Sequence, residues 1–146
     1  MAKVQIIIGS KSDMEHAQKA QAQLAELGIE APIEVASAHR TPKKVISIVE
    51  SSTAQVFITM AGLAAALPGF VAAHTIKPVI AVPLEVKVGG LDALLAAVQM
   101  PTGVPVAAVA IDGAKNSGIL AAEIIALNDP AVAKKIQELR ASWSKA

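Results

Sequence analysis

A histidine and an arginine stand side by side in Ser37-Ala38-His39-Arg40-Thr41-Pro42. His39 can give or take a proton near neutral pH, and Arg40 offers a fixed, forked cation for a phosphate or carboxylate. The hexapeptide follows the short, mostly apolar run Ile33 to Ala36 and precedes a helix-like segment, so Thr41 reads as an N-cap and Pro42 as the first helical residue. The pair therefore belongs at the carboxyl end of a strand, the edge at which open α/β sheets bind ligands. The plainer alternative is a capped helix with a solvated arginine and an incidental histidine.

Two further segments carry residues of the right type. Gly9-Ser10-Lys11-Ser12-Asp13 combines a glycine turn, two hydroxyls and a carboxylate at a helix start. Its backbone N–H groups can hold a phosphate, and Asp13 can accept hydrogen bonds from ribose hydroxyls. Equally, Ser12 or Asp13 could do no more than cap the helix. The glycine spacing of a dinucleotide fingerprint or a P-loop is absent. In Ala61-Gly62-Leu63-Ala64-Ala65-Ala66-Leu67-Pro68-Gly69 the small side chains would let backbone approach a flat ligand, or would serve tight helix packing. His16 and His74 fall inside helical patterns and read as surface or packing residues. Three scattered histidines and no cysteine show no metal-ligand spacing.

The elements that must position these segments alternate in type along the chain. Strands are expected at Val4 to Ile8, Ile33 to Ala36, Gln55 to Met60, Pro78 to Val82 and Val106 to Ile111. Helices are expected at Asp13 to Leu27, Pro42 to Ser51, Leu63 to His74, Gly90 to Gln99, Lys115 to Leu127 and Ala131 to Ser142. Apolar strands alternating with helices predict an α/β fold: a three-layer α/β/α sandwich on a doubly wound, flavodoxin-like parallel sheet. Such a sheet gathers the loops after its first three strands along one edge. The three segments then make one site, with a phosphate-and-ribose grip, an acid/base histidine and a close-fitting wall.

Composition narrows the partners. The 146 residues fit one domain, with 53% hydrophobic and only 2% aromatic residues, so Ala, Val, Ile and Leu must build the core. A mean hydropathy of +0.52 is high for a small lone domain and predicts apolar surface buried between subunits. The last helix, beyond the Asn128-Asp129-Pro130 break, is expected to pack on a neighbouring subunit. Thirteen basic and 12 acidic residues give a net charge of +1 without a basic run, which argues against nucleic acid. No window supplies the ~20 uninterrupted apolar residues of a membrane span. Met1-Ala2-Lys3 before Val4 to Ile8 reads as the approach to a strand, not a signal peptide. The absence of cysteine fits a reducing cytoplasm.

In order, Gly9 to Asp13, Ser37 to Pro42 and Leu67-Pro68-Gly69 resemble the PurE family, the N5-carboxyaminoimidazole ribonucleotide mutases of purine biosynthesis. The likeness continues through Pro78 to Pro83, Gly90 to Leu95 and Val98-Gln99-Met100-Pro101, so it spans nearly the whole chain as one PurE-like domain, residues 1–146. The resemblance implies a cofactor-free transfer in which a carboxyl group leaves the exocyclic nitrogen of an imidazole ribonucleotide and reappears on a ring carbon. It implies His39 as general acid/base. Ser10, Ser12 and Arg40 would hold the phosphate and Asp13 the ribose. Gly9, Ser37 and Ala38 would line the substrate, and Ala61, Gly62, Leu63, Ala64, Ala65, Ala66 and Leu67 would wall the base and carbon dioxide. A homo-octamer with sites near subunit junctions is also implied.

Two positions depart from the usual mutase pattern: Leu63 replaces a glycine and Ala66 a histidine. The branch that carboxylates aminoimidazole ribonucleotide directly tends to carry alanine at the Ala66 position. It also carries lysine where this chain has Arg40, and lacks Pro68. Arg40, Thr41, Pro42 and Pro68 together favour the mutase over the direct carboxylase, and a catalytically silent nucleotide-binding paralogue is the third reading.

Overall fold

The structure is a computed structural model that describes residues 1–145. Among these, five parallel strands form one sheet: β1 (Val4–Ile8), β2 (Ile33–Val35), β3 (Val56–Ala61), β4 (Val79–Pro83) and β5 (Ala107–Ala108). Their order is β2-β1-β3-β4-β5, the flavodoxin-like arrangement, and all pairings are parallel. The helices are α1 (Met14–Glu26), α2 (Pro42–Ser51), α3 (Leu67–Ala72), α4 (Leu91–Val98), α5 (Ala114–Ala126) and α6 (Pro130–Trp143).

Side chains of a strand alternate between its two faces, and both faces of this sheet are covered. Ile6 and Ile8 of β1 and Ile58 and Met60 of β3 pack under α1, α5 and α6. Ile7 and Phe57 face the other way, onto Val45 and Val49 of α2, Leu67 and Val71 of α3 and Ala93 of α4. This two-sided burial is why the strands read as continuous apolar runs. Gln5 and Thr59 are the buried polar exceptions: the Gln5 side-chain amide donates to the Ile6 and Pro32 carbonyls, each at 3.1 Å, and the Thr59 hydroxyl donates to the Ile80 carbonyl at 3.1 Å.

Register decides where the loops emerge. Ile8 lies level with Val35 of β2 and Met60 of β3, and Met60 with Val82 of β4. Four chains thus leave the sheet at one height, around the point between β1 and β3 where the strand order reverses.

Two expectations change and a third is narrowed. The helix expected from Leu63 starts only at Leu67, because Ala64 takes a left-handed φ of 41° and Pro68 sits in the first turn. A proline six residues into a helix would remove a backbone hydrogen bond, whereas in the first turn it removes none. Residues 62–66 are therefore loop. The fifth strand, expected over Val106 to Ile111, pairs only at Ala107–Ala108. It is an edge strand, and its exit is bent by Asp112, with φ 58°, whose carboxylate accepts from the Glu85 N–H at 3.0 Å. Finally, the inner face of α6 rests on its own chain: Val132 and Ile136 are buried in the core cluster shared with α5. Contact with a neighbouring subunit would have to use the outer face of this helix.

Candidate active site

The loops after β1, β2 and β3 enclose a cleft of about 480 Å³. Gly9, Ser10, Ser12 and Asp13 form one side, and Ser37, Ala38, His39 and Arg40 a second. Ala61, Gly62, Leu63, Ala64, Ala66 and Leu67 form the third. Ala65 does not line it. That residue points into the core beside Leu67, and at its surface borders an adjoining hollow of about 420 Å³ instead.

On the first side, a short 3₁₀ turn spans Lys11–Asp13 before α1. Ser10 caps that turn: its hydroxyl oxygen accepts from the Ser12 N–H at 3.3 Å and from the Ser12 hydroxyl at 3.0 Å. Asp13 occupies the N-cap position of α1 but makes no cap bond. The capping alternative therefore falls to Ser10, and the Asp13 carboxylate is left for the cleft. Partial burial raises its pKa above the ordinary carboxylate range, with the His16 charge and the Ser10 backbone pulling the other way.

On the second side the hexapeptide closes on itself. The Ser37 hydroxyl oxygen accepts from the N–H groups of His39 at 3.3 Å and Arg40 at 3.1 Å. Thr41 stands at the N-cap position of α2, yet its hydroxyl reaches backward, accepting from the Ser37 N–H at 2.9 Å and donating to the Ser37 carbonyl at 3.3 Å. The helix is thus entered through Pro42 without a threonine side-chain cap. Arg40 donates from Nη2 to the Gly9 carbonyl at 3.2 Å, which ties the loop after β2 to the loop after β1. His39 is exposed at the junction of the cleft and the adjoining hollow, which is also lined by Phe70, Asp92 and Met100.

On the third side Gly62 passes so close to Val86 that a Cβ there would fall 2.4 Å from the valine Cγ2. Val86 lines the cleft and was missed from sequence. The available signal was topological: Val86 lies in the Pro83 to Gly89 loop, which follows β4 and leaves the same edge of the sheet. A second contact joins two segments far apart in the chain, since a Cβ on Gly69 would lie 3.1 Å from Met100 Sδ. Leu63 is 60% exposed at the cleft rim.

His74 stays outside the site, as the helical pattern suggested. Its Nδ1 lies 2.8 Å from the Phe70 carbonyl and its ring 4.7 Å from the Phe70 ring. His16 is less ordinary, because its Nδ1 is buried without a hydrogen-bond partner. Among the described residues no three His, Asp or Glu side chains gather as a metal site, and no helix is long and apolar enough to cross a membrane.

The arrangement places a proton carrier beside a cation, across a cleft from hydroxyls and a carboxylate. It suits a phosphorylated, hydroxyl-bearing ligand with a flat apolar part against the alanine wall. The family model for AIR carboxylase matches residues 3–146. The N5-carboxyaminoimidazole ribonucleotide mutase of Methanocaldococcus jannaschii is 57% identical over 96% of this chain and 89% of its own length. That of Thermotoga maritima is 46% identical over 96% of this chain and 84% of its own. The crystal structure of Treponema denticola PurE superimposes with a TM-score of 0.88 at 34% identity, covering 97% of this chain and 91% of that one.

Proposed function

The chain belongs to the AIR carboxylase family, and we propose on that premise that it is an N5-carboxyaminoimidazole ribonucleotide mutase. The observation that carries the reading is the pairing of His39 and Arg40 on one closed turn, facing the hydroxyls and free carboxylate of the loop after β1 across the cleft. Arg40, Ser10 and Ser12 hold the substrate's phosphate, with charged hydrogen bonds from the guanidinium supplying most of the grip. Asp13 accepts from the ribose hydroxyls. The imidazole ring lies against the wall formed by Gly62, Leu63, Ala64 and Ala66.

In the reaction the bond between the exocyclic nitrogen and the carboxyl carbon breaks, its electron pair stays on nitrogen, and His39 supplies a proton there. The liberated carbon dioxide is attacked by the ring carbon, and the proton displaced from that carbon returns to His39. Atoms, charge and the protonation state of His39 all balance over the cycle, so no ATP is required. Holding carbon dioxide beside the ring replaces a bimolecular recapture by a local one.

The apolar surplus supports a homo-oligomer, which we read as an octamer. Leu91, Leu95 and Val98 form an exposed stripe along α4, and Ile76 and Trp143 are exposed as well. Native mass measurement tests this, and a stable monomer would contradict it. A cysteine-free chain is in keeping with work in the cytoplasm.

The deciding experiment is turnover of N5-carboxyaminoimidazole ribonucleotide to the 4-carboxy isomer without ATP or added bicarbonate. His39→Asn should abolish turnover while leaving binding intact. Product formed only from aminoimidazole ribonucleotide with bicarbonate would reject the mutase in favour of a direct carboxylase. A wild-type rate no faster than that of His39→Asn would reduce the chain to a nucleotide binder.

A further inference from the structure

A threonine at the N-cap of α2 should accept from the backbone N–H groups of the first helical turn, yet Thr41 makes no such bond. The helix start has little need of it. Pro42 brings no N–H, and the Lys44 N–H turns to the Thr41 carbonyl at 3.1 Å. The hydroxyl goes instead to Ser37, four residues back, accepting from its N–H at 2.9 Å and donating to its carbonyl at 3.3 Å. The Thr41 N–H reaches the same carbonyl at 2.9 Å. Three hydrogen bonds thus join Ser37 to Thr41 and close the chain between them into a ring.

Inside that ring stands the proton carrier. Ser37 Oγ has two lone pairs, and they take the N–H groups of His39 at 3.3 Å and Arg40 at 3.1 Å. The orientation of both backbone units therefore depends on where Ser37 is held, and Thr41 holds it. Arg40 has a second anchor, because its Nη2 donates to the Gly9 carbonyl at 3.2 Å. Among the described residues no hydrogen bond fixes the His39 ring, so its aim falls to the backbone turn.

We infer that Thr41 is a positioning residue for His39: through Ser37, its hydroxyl sets the turn that presents the imidazole to the cleft. This rests on the reading of His39 as the proton carrier. Thr41 is not among the residues lining the cleft, so it acts through the turn and not on the substrate. A proton carrier displaced slightly from the reacting atoms costs rate while binding survives, so the effect belongs to kcat. Arg40, tied separately to Gly9, keeps KM near its wild-type value.

The test uses the full-length protein and the variants Thr41→Val, Thr41→Ala, Thr41→Ser and His39→Asn. For each, kcat and KM for N5-carboxyaminoimidazole ribonucleotide are measured well below the unfolding temperature, and Tm is recorded. Thr41→Val keeps the shape of the side chain and removes the hydroxyl, and Thr41→Ala is the second variant should the valine fold poorly. Either should lower kcat about fivefold with KM changed less than about twofold, a modest loss because Thr41 is exposed and water competes for its partners. Thr41→Ser keeps the oxygen and should retain at least about half of the wild-type kcat. A wild-type kcat in Thr41→Val and Thr41→Ala beside an inactive His39→Asn overturns the role of Thr41 alone, whether Tm falls or KM rises. So does an equal loss of kcat in Thr41→Ser and Thr41→Val. A wild-type kcat in His39→Asn overturns the proton-carrier reading, and the role of Thr41 with it.

Discussion

Replacing Gly62 by alanine should damage the cleft by a purely steric route that a second substitution can reverse. The new Cβ would fall 2.4 Å from Val86 Cγ2 and 3.4 Å from both Val86 Cβ and the Leu84 carbonyl oxygen. Carbon atoms pack best at about 3.5 to 4.0 Å, so Val86 Cγ2 must retreat by about 1 Å. The φ of Gly62 lies outside the left-handed region, and alanine therefore adds no backbone strain. A β-branched valine gives way only by leaving its preferred rotamer, at about 0.5 to 1.5 kcal/mol. Because Val86 is 48% exposed it has room to turn, which puts the expected destabilisation near 1 kcal/mol and below the range for overpacking a sealed core. Both residues line the cleft, so the turned side chain enters the space meant for substrate. kcat/KM for N5-carboxyaminoimidazole ribonucleotide should drop about tenfold, equivalent to ~1.4 kcal/mol. In the double variant Gly62→Ala/Val86→Ala the clash is gone, and both Tm and kcat/KM should recover most of the loss. A Gly62→Ala protein with wild-type Tm and rate, or a double variant no better than the single one, would refute the reasoning.

Arg40→Ala should weaken phosphate-bearing ligands by about 1.5 to 3 kcal/mol, the range for a charged hydrogen bond, while leaving the corresponding nucleoside unaffected in calorimetric titration. Equal loss for both ligands would assign Arg40 to the loop tie with Gly9 and not to the phosphate. Asp13→Asn should stabilise the unliganded protein. Burial raises the pKa of Asp13 in the folded chain, so folded molecules bind more protons than unfolded ones between the ordinary carboxylate range and the raised value. Stability then falls as pH rises through that window and stays lower above it. Tm of the asparagine variant should exceed that of the wild type at neutral pH and match it below the ordinary carboxylate range. A lower Tm at neutral pH would show the sign to be wrong.

Most of the architecture can be read from local pattern, because burial on both faces keeps Val4–Ile8, Val56–Ala61 and Val79–Pro83 almost wholly apolar, with Gln5 and Thr59 the polar exceptions, and their separation by helical periods leaves a parallel sheet as the economical answer. The chemical inventory is local too: His39 beside Arg40, and Ser10 and Ser12 beside Asp13, identify themselves by residue type and by their place after a strand. Pattern fails where a distant neighbour decides. Poly-alanine at Ala64 to Ala66 favours a helix locally, but the left-handed turn at Ala64 and the start of α3 at Leu67 keep it as loop. The tie of Thr41 back to Ser37, in place of a forward cap, follows from how the turn closes. Val86 joins the cleft only because β4 ends level with β3, and Ala65 leaves it only because the core beside Leu67 claims its side chain. Composition and spacing thus specify which groups are present and at which edge of the sheet they emerge. Strand register and side-chain packing, which depend on contacts between residues far apart in the chain, determine which of those groups face one another across the cleft.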